Sequence, residues 1–170
     1  MDVHLWSVQM VVSTKFGNTL CPVARSQAIM GDRWTIVVMR ELFMGNRRFD
    51  DLMVQSQATP QMLTLQLRRL EASGLIERHP YTSRPPRYEY QLTTKGQAFY
   101  PVIRALREWG ETWCKSENED VAVRYKHLKC GGNAGLGVAC ETCGNVLRRE
   151  DLKPEMSPSY ARERAIRQAE

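Results

Sequence analysis

Four side chains near the C-terminal end of the 170-residue chain carry the clearest metal chemistry. His127 and Cys130 are separated by two residues, nine residues follow, and Cys140 and Cys143 repeat the spacing just before Gly144. Two such pairs can bring four soft donors to one ion, and Gly131 and Gly144 let the backbone turn tightly behind each pair. That set suits a tetrahedral structural zinc ion. The nine-residue gap is shorter than the usual ribbon spacing, so the same residues also read as three partly buried free thiols beside a strand histidine, and both readings stay open. A zinc-deaminase site is disfavoured: its proton shuttle needs Glu where Lys129 stands, and Ala139 replaces the proline ahead of the second cysteine pair. Cys21 stands alone at the start of a helical segment, where the helix dipole and Arg25 favour reaction with oxidants or electrophiles. The alternative for Cys21 is a small buried residue.

A second set of residues suits base recognition. Gln61, Thr64, Gln66, Arg68 and Arg69 fall on the polar side of a leucine-rich segment that has no acidic residue until Glu71. Amides and guanidinium groups are the side chains that make paired hydrogen bonds to base edges in the major groove. Further on, Arg84 and Arg87 flank Pro85-Pro86, which places cations on a stiff tip within reach of a phosphate or a minor groove.

Periodicity supplies the elements that position these groups. Pro22 opens a helix that Gly31-Asp32 breaks, and Trp34 to Phe43 is apolar nearly all round, as expected of a central core helix. Phe49, Leu52 and Met53 make a short helix. Thr59 is a natural N-cap for the next, in which Leu63, Leu67 and Leu70 form the buried stripe as far as Gly74. From Leu75 the period shortens to about two, giving a hairpin over 75–92 with its tip at 82–86. Thr93 or Thr94 then caps one long helix with an apolar stripe at Phe99, Val102, Ile103, Leu106, Trp109, Gly110 and Trp113. That stripe exceeds the needs of one small core and points to a partner helix from a second subunit. Helices, polar reading face, hairpin and basic tip in this order describe a winged helix-turn-helix.

The composition agrees with one globular domain plus appendages: 42% apolar residues, 25% charged and a net charge of +5. No apolar run reaches the roughly 18 residues needed to cross a bilayer, which predicts a cytoplasmic protein with no membrane partner. The expected fold class is mainly α with a small β-hairpin, a winged helix-turn-helix DNA-binding domain with a short Cys/His C-terminal appendage. Expected boundaries are an N-terminal arm at 1–20, the winged domain with its dimerisation helix at 21–114, a zinc-ribbon-like appendage at 120–153 and a flexible tail at 154–170.

Six segments in register resemble HxlR-type transcriptional regulators. They are Cys21-Pro22-Val23-Ala24, Gly31-Asp32-Arg33-Trp34-Thr35, Arg47-Arg48-Phe49-Asp50-Asp51-Leu52, Arg68-Arg69-Leu70-Glu71 running to Gly74-Leu75-Ile76, Pro85-Pro86-Arg87-Tyr88-Glu89-Tyr90 and Leu92-Thr93-Thr94-Lys95-Gly96. The resemblance implies a MarR-like homodimer joined through its first and last helices. Such a dimer binds a pseudo-palindromic operator in double-stranded DNA and commonly represses. Carried over by position, Thr59, Gln61, Thr64, Leu65, Gln66 and Arg69 lie on or near the recognition surface, and Arg84 and Arg87 lie on the wing. The Cys21 position is similar to that of redox or electrophile sensors, so release by a small molecule or such a signal is implied. The family usually has polar or basic residues where this chain has Leu65 and Gln66, so its base preference is its own. Leu65 either touches a thymine methyl or packs in the core. No catalytic constellation is present in the sequence, and the alternative to a DNA reader is a non-catalytic protein-interaction module using the winged fold and a zinc knuckle.

Overall fold

The computed structural model describes residues 19–169. The expected N-terminal arm therefore lies outside the described residues except for Thr19 and Leu20. Helix α1 (Pro22–Met30) begins with proline at its first position, where a missing N–H costs nothing. Helix α2 (Arg33–Met44) is capped by Asp32, whose Oδ1 accepts from the Trp34 N–H at 2.8 Å. It ends at Gly45 with φ 99, a left-handed conformation that glycine adopts without strain. Val38, Met39, Leu42 and Phe43 of α2 are buried, so this helix occupies the centre of the core, as its composition predicts.

Helix α3 (Phe49–Ser56), the turn through Gln57 at φ 58, and helix α4 (Pro60–Ala72) form the helix-turn-helix. Thr59 caps α4 by accepting from the Met62 N–H. Leu52 of α3 and Leu63, Leu67 and Leu70 of α4 close on the α2 face to make the common core. Strands β1 (Ile76–Ser83) and β2 (Pro86–Leu92) pair antiparallel from Ile76 opposite Leu92 to Ser83 opposite Pro86, with an irregularity between Pro80 and Thr82. The base of this wing is tied to the helix-turn-helix by an antiparallel backbone pairing of Arg48 with Glu89 and by the Tyr90 N–H, which donates to the Arg47 carbonyl at 2.9 Å.

The long helix expected after Thr93 is divided in two. Thr93 caps the short α5 (Thr94–Gln97), and α6 (Tyr100–Trp113) starts afresh beyond Phe99. Pro101 explains the break, since its ring and missing N–H fit only the first turn of a helix. Gly96 is buried against the Leu75 backbone just ahead of β1, and a methyl group there would collide with the Leu75 carbonyl oxygen.

The C-terminal third folds back on this frame. Strand β3 (Val123–His127) pairs antiparallel with β4 (Leu152–Met156), from Val123 opposite Met156 to His127 opposite Leu152. Pro154 onwards is not the frayed tail that its polarity predicts: β4 continues to Met156, and helix α7 (Pro158–Ala169) packs against α3. No residue of α7 is fully buried, so polar contacts hold it. Arg164 makes a fork on the buried Glu41 carboxylate, Nη1 to Oε1 at 3.0 Å and Nη2 to Oε2 at 2.7 Å, and Gln55 Nε2 donates to the Arg164 carbonyl at 3.1 Å. Burial pushes the Glu41 pKa up, but Arg164 and Arg40 outweigh it and hold the carboxyl below its ordinary value.

Candidate nucleic-acid interface and metal centre

An α-helix that buries residues at i, i+3, i+4 and i+7 offers the opposite stripe to its surroundings. In α4 the buried stripe is Leu63, Gln66, Leu67 and Leu70, and the exposed stripe is Gln61, Leu65, Arg68 and Arg69. Gln66 is therefore a correction to the expected reading surface. Its side chain is turned inward, 2% exposed, and Nε2 donates to the buried Thr35 Oγ1 at 2.7 Å. A base edge cannot reach it.

The other expected contacts divide clearly. Leu65 is 50% exposed, which settles its alternatives in favour of the surface over the core. Gln61 is exposed beside it. Thr59 is exposed but its hydroxyl oxygen is engaged in capping, and the Thr64 hydroxyl donates to the Pro60 carbonyl at 2.7 Å. Arg69 pairs with Asp32 Oδ2 at 2.9 Å, so the carboxylate that caps α2 also steers the guanidinium at the edge of the reading face. Arg68 is exposed and has no ion-pair partner among the described residues, yet it is absent from the residues carried over by resemblance. Its place at i+7 from Gln61 puts it on the polar face that the sequence pattern itself marks out.

On the wing, Arg84 and Arg87 are both exposed at the hairpin tip, as expected. The shaft below them is stiffened by cation–aromatic contacts: Arg48 lies 5.0 Å from the Tyr81 ring and Arg78 lies 4.9 Å from the Tyr88 ring. Arg78 also pairs with Glu71 at the end of α4, at 3.2 Å, which ties the wing to the reading helix.

The predicted four-residue cluster assembles. The donor atoms of His127, Cys130, Cys140 and Cys143 all lie within 4.8 Å of one another. His127 Nδ1 is 3.3 Å from Cys130 Sγ and 3.4 Å from Cys143 Sγ, and the Cys130 and Cys140 sulfurs are 3.7 Å apart. Tetrahedral bonds of roughly 2.3 Å require sulfurs about 3.8 Å apart, so the spacing and the donor chemistry both fit an ion. Each pair is set by a tight turn. The Gly131 N–H donates to the His127 carbonyl, and the Gly144 N–H donates to the Cys140 carbonyl, both at 2.8 Å, with both glycines left-handed. Burial opposes ionisation of Cys140, but the backbone N–H groups of Cys143 and Thr142 and the adjacent thiols bring its pKa down to about 6. The cluster is able to hold a metal ion.

The ribbon that carries this cluster is gripped by the winged domain. Arg104 of α6, 1% exposed, donates from Nε to the Gly137 carbonyl at 2.9 Å and from Nη2 to the Gly135 carbonyl at 3.0 Å. Arg149 donates from Nε to the Phe43 carbonyl of α2 at 2.7 Å. Neither contact is legible in the sequence, where both residues read as surface charge.

Two further features bear on assembly and signalling. Val102, Leu106, Trp109 and Trp113 of α6 form an exposed apolar stripe, and Leu20 just ahead of α1 and Val23 in its first turn are more exposed still. Cys21 is exposed, against the small-buried alternative, and its side chain makes no capping hydrogen bond. No helix among the described residues is long and apolar enough to cross a membrane.

A helix-turn-helix with an acid-free exposed stripe and an arginine-tipped wing defines a winged-helix DNA-binding protein. The HxlR-like helix-turn-helix family model matches residues 29–118, and the chain belongs to that family. It is a transcriptional regulator with a helix-turn-helix DNA-binding domain, and its relatives are regulators, not enzymes. The HTH-type transcriptional regulator Rv3095 of Mycobacterium tuberculosis is 33% identical over 138 residues, covering 81% of this chain and 87% of the relative. The HTH-type regulator YybR of Bacillus subtilis is 36% identical over 107 residues, 62% of this chain and 82% of the relative. Among solved structures, the PA1607 protein, assigned as a transcription factor, is similar with a TM-score of 0.65 and 29% identity, covering 82% of this chain and 96% of that one. The redox regulator HypR in its reduced form has a TM-score of 0.51 and 35% identity over 54% of this chain and 92% of its own.

Proposed function

We propose that the protein is a cytoplasmic homodimeric repressor that reads a pseudo-palindromic operator and is released by a small-molecule or redox signal. The observation that carries the reading is the exposed stripe Gln61, Leu65, Arg68 and Arg69 on α4, flanked by Arg84 and Arg87 on the wing. The helix lies in the major groove, where Gln61 and Arg68 donate to base edges and Leu65 meets a thymine methyl, while the wing arginines engage phosphates. The open stripes on α6 and α1 support pairing with a second copy, which sets two reading helices about one helical turn apart, roughly 34–36 Å. A signal that shifts the dimer helices changes that separation and disengages one helix. The exposed Cys21 supports a thiol-based signal, consistent with the HypR neighbour. The His127, Cys130, Cys140 and Cys143 cluster holds a structural zinc ion that cross-links the ribbon.

The test is to incubate purified protein with sheared genomic DNA from its source at moderate salt, sequence what it retains, and determine the mass of the free protein by light scattering. A shared inverted repeat bound by a dimer supports the reading. Retention of no common sequence by a folded protein overturns it.

A further inference from the structure

We infer that metal occupancy of the His127/Cys130/Cys140/Cys143 cluster is mechanically linked to the dimerisation face of α6 through Arg104, so that the metal acts as an effector as well as a staple. This rests on the metal reading of the cluster proposed above. Cys130 and Cys140 are the two ends of one loop, residues 131–139, and an ion that binds both closes that loop. The carbonyls that Arg104 grips, those of Gly135 and Gly137, lie inside it. Arg107, one turn further along α6, donates to the Gly135 carbonyl at 3.4 Å and to the carbonyl of Val123 at the start of β3. Both guanidinium groups sit against the Tyr125 ring, at 5.4 and 5.1 Å, two residues before the ligand His127. Two adjacent arginines of one helix thus hold the ligand loop by its backbone.

The grip is electrostatically conditional. Burial and the neighbouring Arg104 charge both depress the Arg107 pKa, and Arg104 Nη1 has no hydrogen-bond partner among the described residues. Neither guanidinium has a carboxylate within ion-pair distance among the described residues; their hydrogen bonds go to backbone carbonyl oxygens, and the Tyr125 ring lies against both. Such an arrangement stays folded only while those oxygens are fixed in place. A divalent ion bound by three thiolates and a neutral imidazole fixes them, and the site then carries one net negative charge, opposite in sign to the two arginines. Without the ion the loop opens, its carbonyls leave, and the Arg104–Arg107 side of α6 loses its cover. The same helix presents Val102, Leu106, Trp109 and Trp113 to a partner, so its position and rigidity are read in the dimer. Linkage is reciprocal: a winged domain that cannot grip the loop must bind the metal more weakly.

The experiment titrates zinc-loaded protein with the chromogenic chelator 4-(2-pyridylazo)resorcinol, comparing wild type with Arg104→Met and Arg104→Lys, none of which alters a metal ligand. Hydrogen exchange of α6 is followed with and without zinc in the same samples. The expected result is zinc affinity at least tenfold lower in Arg104→Met, with an intermediate loss in Arg104→Lys. Zinc removal should deprotect residues 104–113 in wild type. Zinc affinity within twofold of wild type in both variants, or α6 exchange that ignores zinc in wild type, overturns the linkage alone. Wild type that takes up less than half an equivalent of zinc overturns the metal reading and the linkage with it.

Discussion

Replacing Arg164 by alanine should destabilise the whole winged domain, although the residue lies 123 positions from its partner in a polar C-terminal helix. The Glu41 carboxylate is fully buried and Arg164 covers both of its oxygens. Removing one member of a buried ion pair usually costs about 3–5 kcal/mol, because the remaining charge keeps its desolvation penalty. Glu41 would retain Asn46 Nδ2 at 2.6 Å and Arg40 Nε at 2.8 Å, which places the expected loss at the lower end, about 3 kcal/mol. For a chain of this length that corresponds to a fall of roughly 6–12 °C in Tm. Arg164→Ala should also change the pH profile. The Glu41 pKa is lowered by folding, so its contribution is present above the unfolded value of 4.5 and is lost as the pH falls through the lower folded value. Thermal melts at pH 7 and across the acid range measure both effects. A loss under 1 kcal/mol at pH 7, with an unchanged acid limb, would refute the buried pair and restore a frayed tail.

Other expectations are more local. Gln66→Ala should cost about 1–3 kcal/mol of stability by orphaning the Thr35 hydroxyl, while its losses on operator and random DNA remain equal; a selective loss on the operator in band-shift titrations would put Gln66 back on the reading face. Arg87→Ala should weaken binding to all sequences and reduce the slope of log affinity against log salt by about 1, whereas an unchanged slope would remove the wing from the phosphates. Gly96→Ala should lower Tm more than a typical exposed helix substitution, since the Leu75 backbone cannot move away from the added carbon, and an unaffected melt would contradict that packing. Trp109→Asp should shift the protein toward monomer in light scattering without a large change in its melt as a monomer, because Trp109 is 60% exposed in the single chain.

The parts of the fold that were legible in the sequence are those written in apolar periodicity or in fixed ligand spacing. The Leu63, Leu67 and Leu70 stripe, the hairpin with its Arg84 and Arg87 tip, and the His127 to Cys143 pairs all appear where the pattern puts them. Polar residues on buried faces were not legible by type. Gln66 sits three residues after Leu63 and four before Leu70, so its position in the stripe outweighs its amide, and the pairing with Thr35 satisfies its N–H. Glu41 and Arg104 are hidden for the same reason, because charge reads as surface until a distant partner is known. The Glu41 partner comes from α7 and the Arg104 partners are backbone carbonyls of the ligand loop, and neither leaves a trace in local pattern. The break before α6 was legible at Pro101, which the apolar stripe running through it obscured.

The account stands most directly on the exposed stripe of α4. Equilibrium binding of the Gln61→Ala/Leu65→Ala/Arg68→Ala protein to the selected operator, and to a shuffled duplex of equal length and salt, isolates that stripe from the wing and the dimer. The account predicts that preference for the operator collapses, to within about threefold of the shuffled duplex, while the melt and the salt-dependent background binding persist. Full operator preference in the triple variant would contradict it.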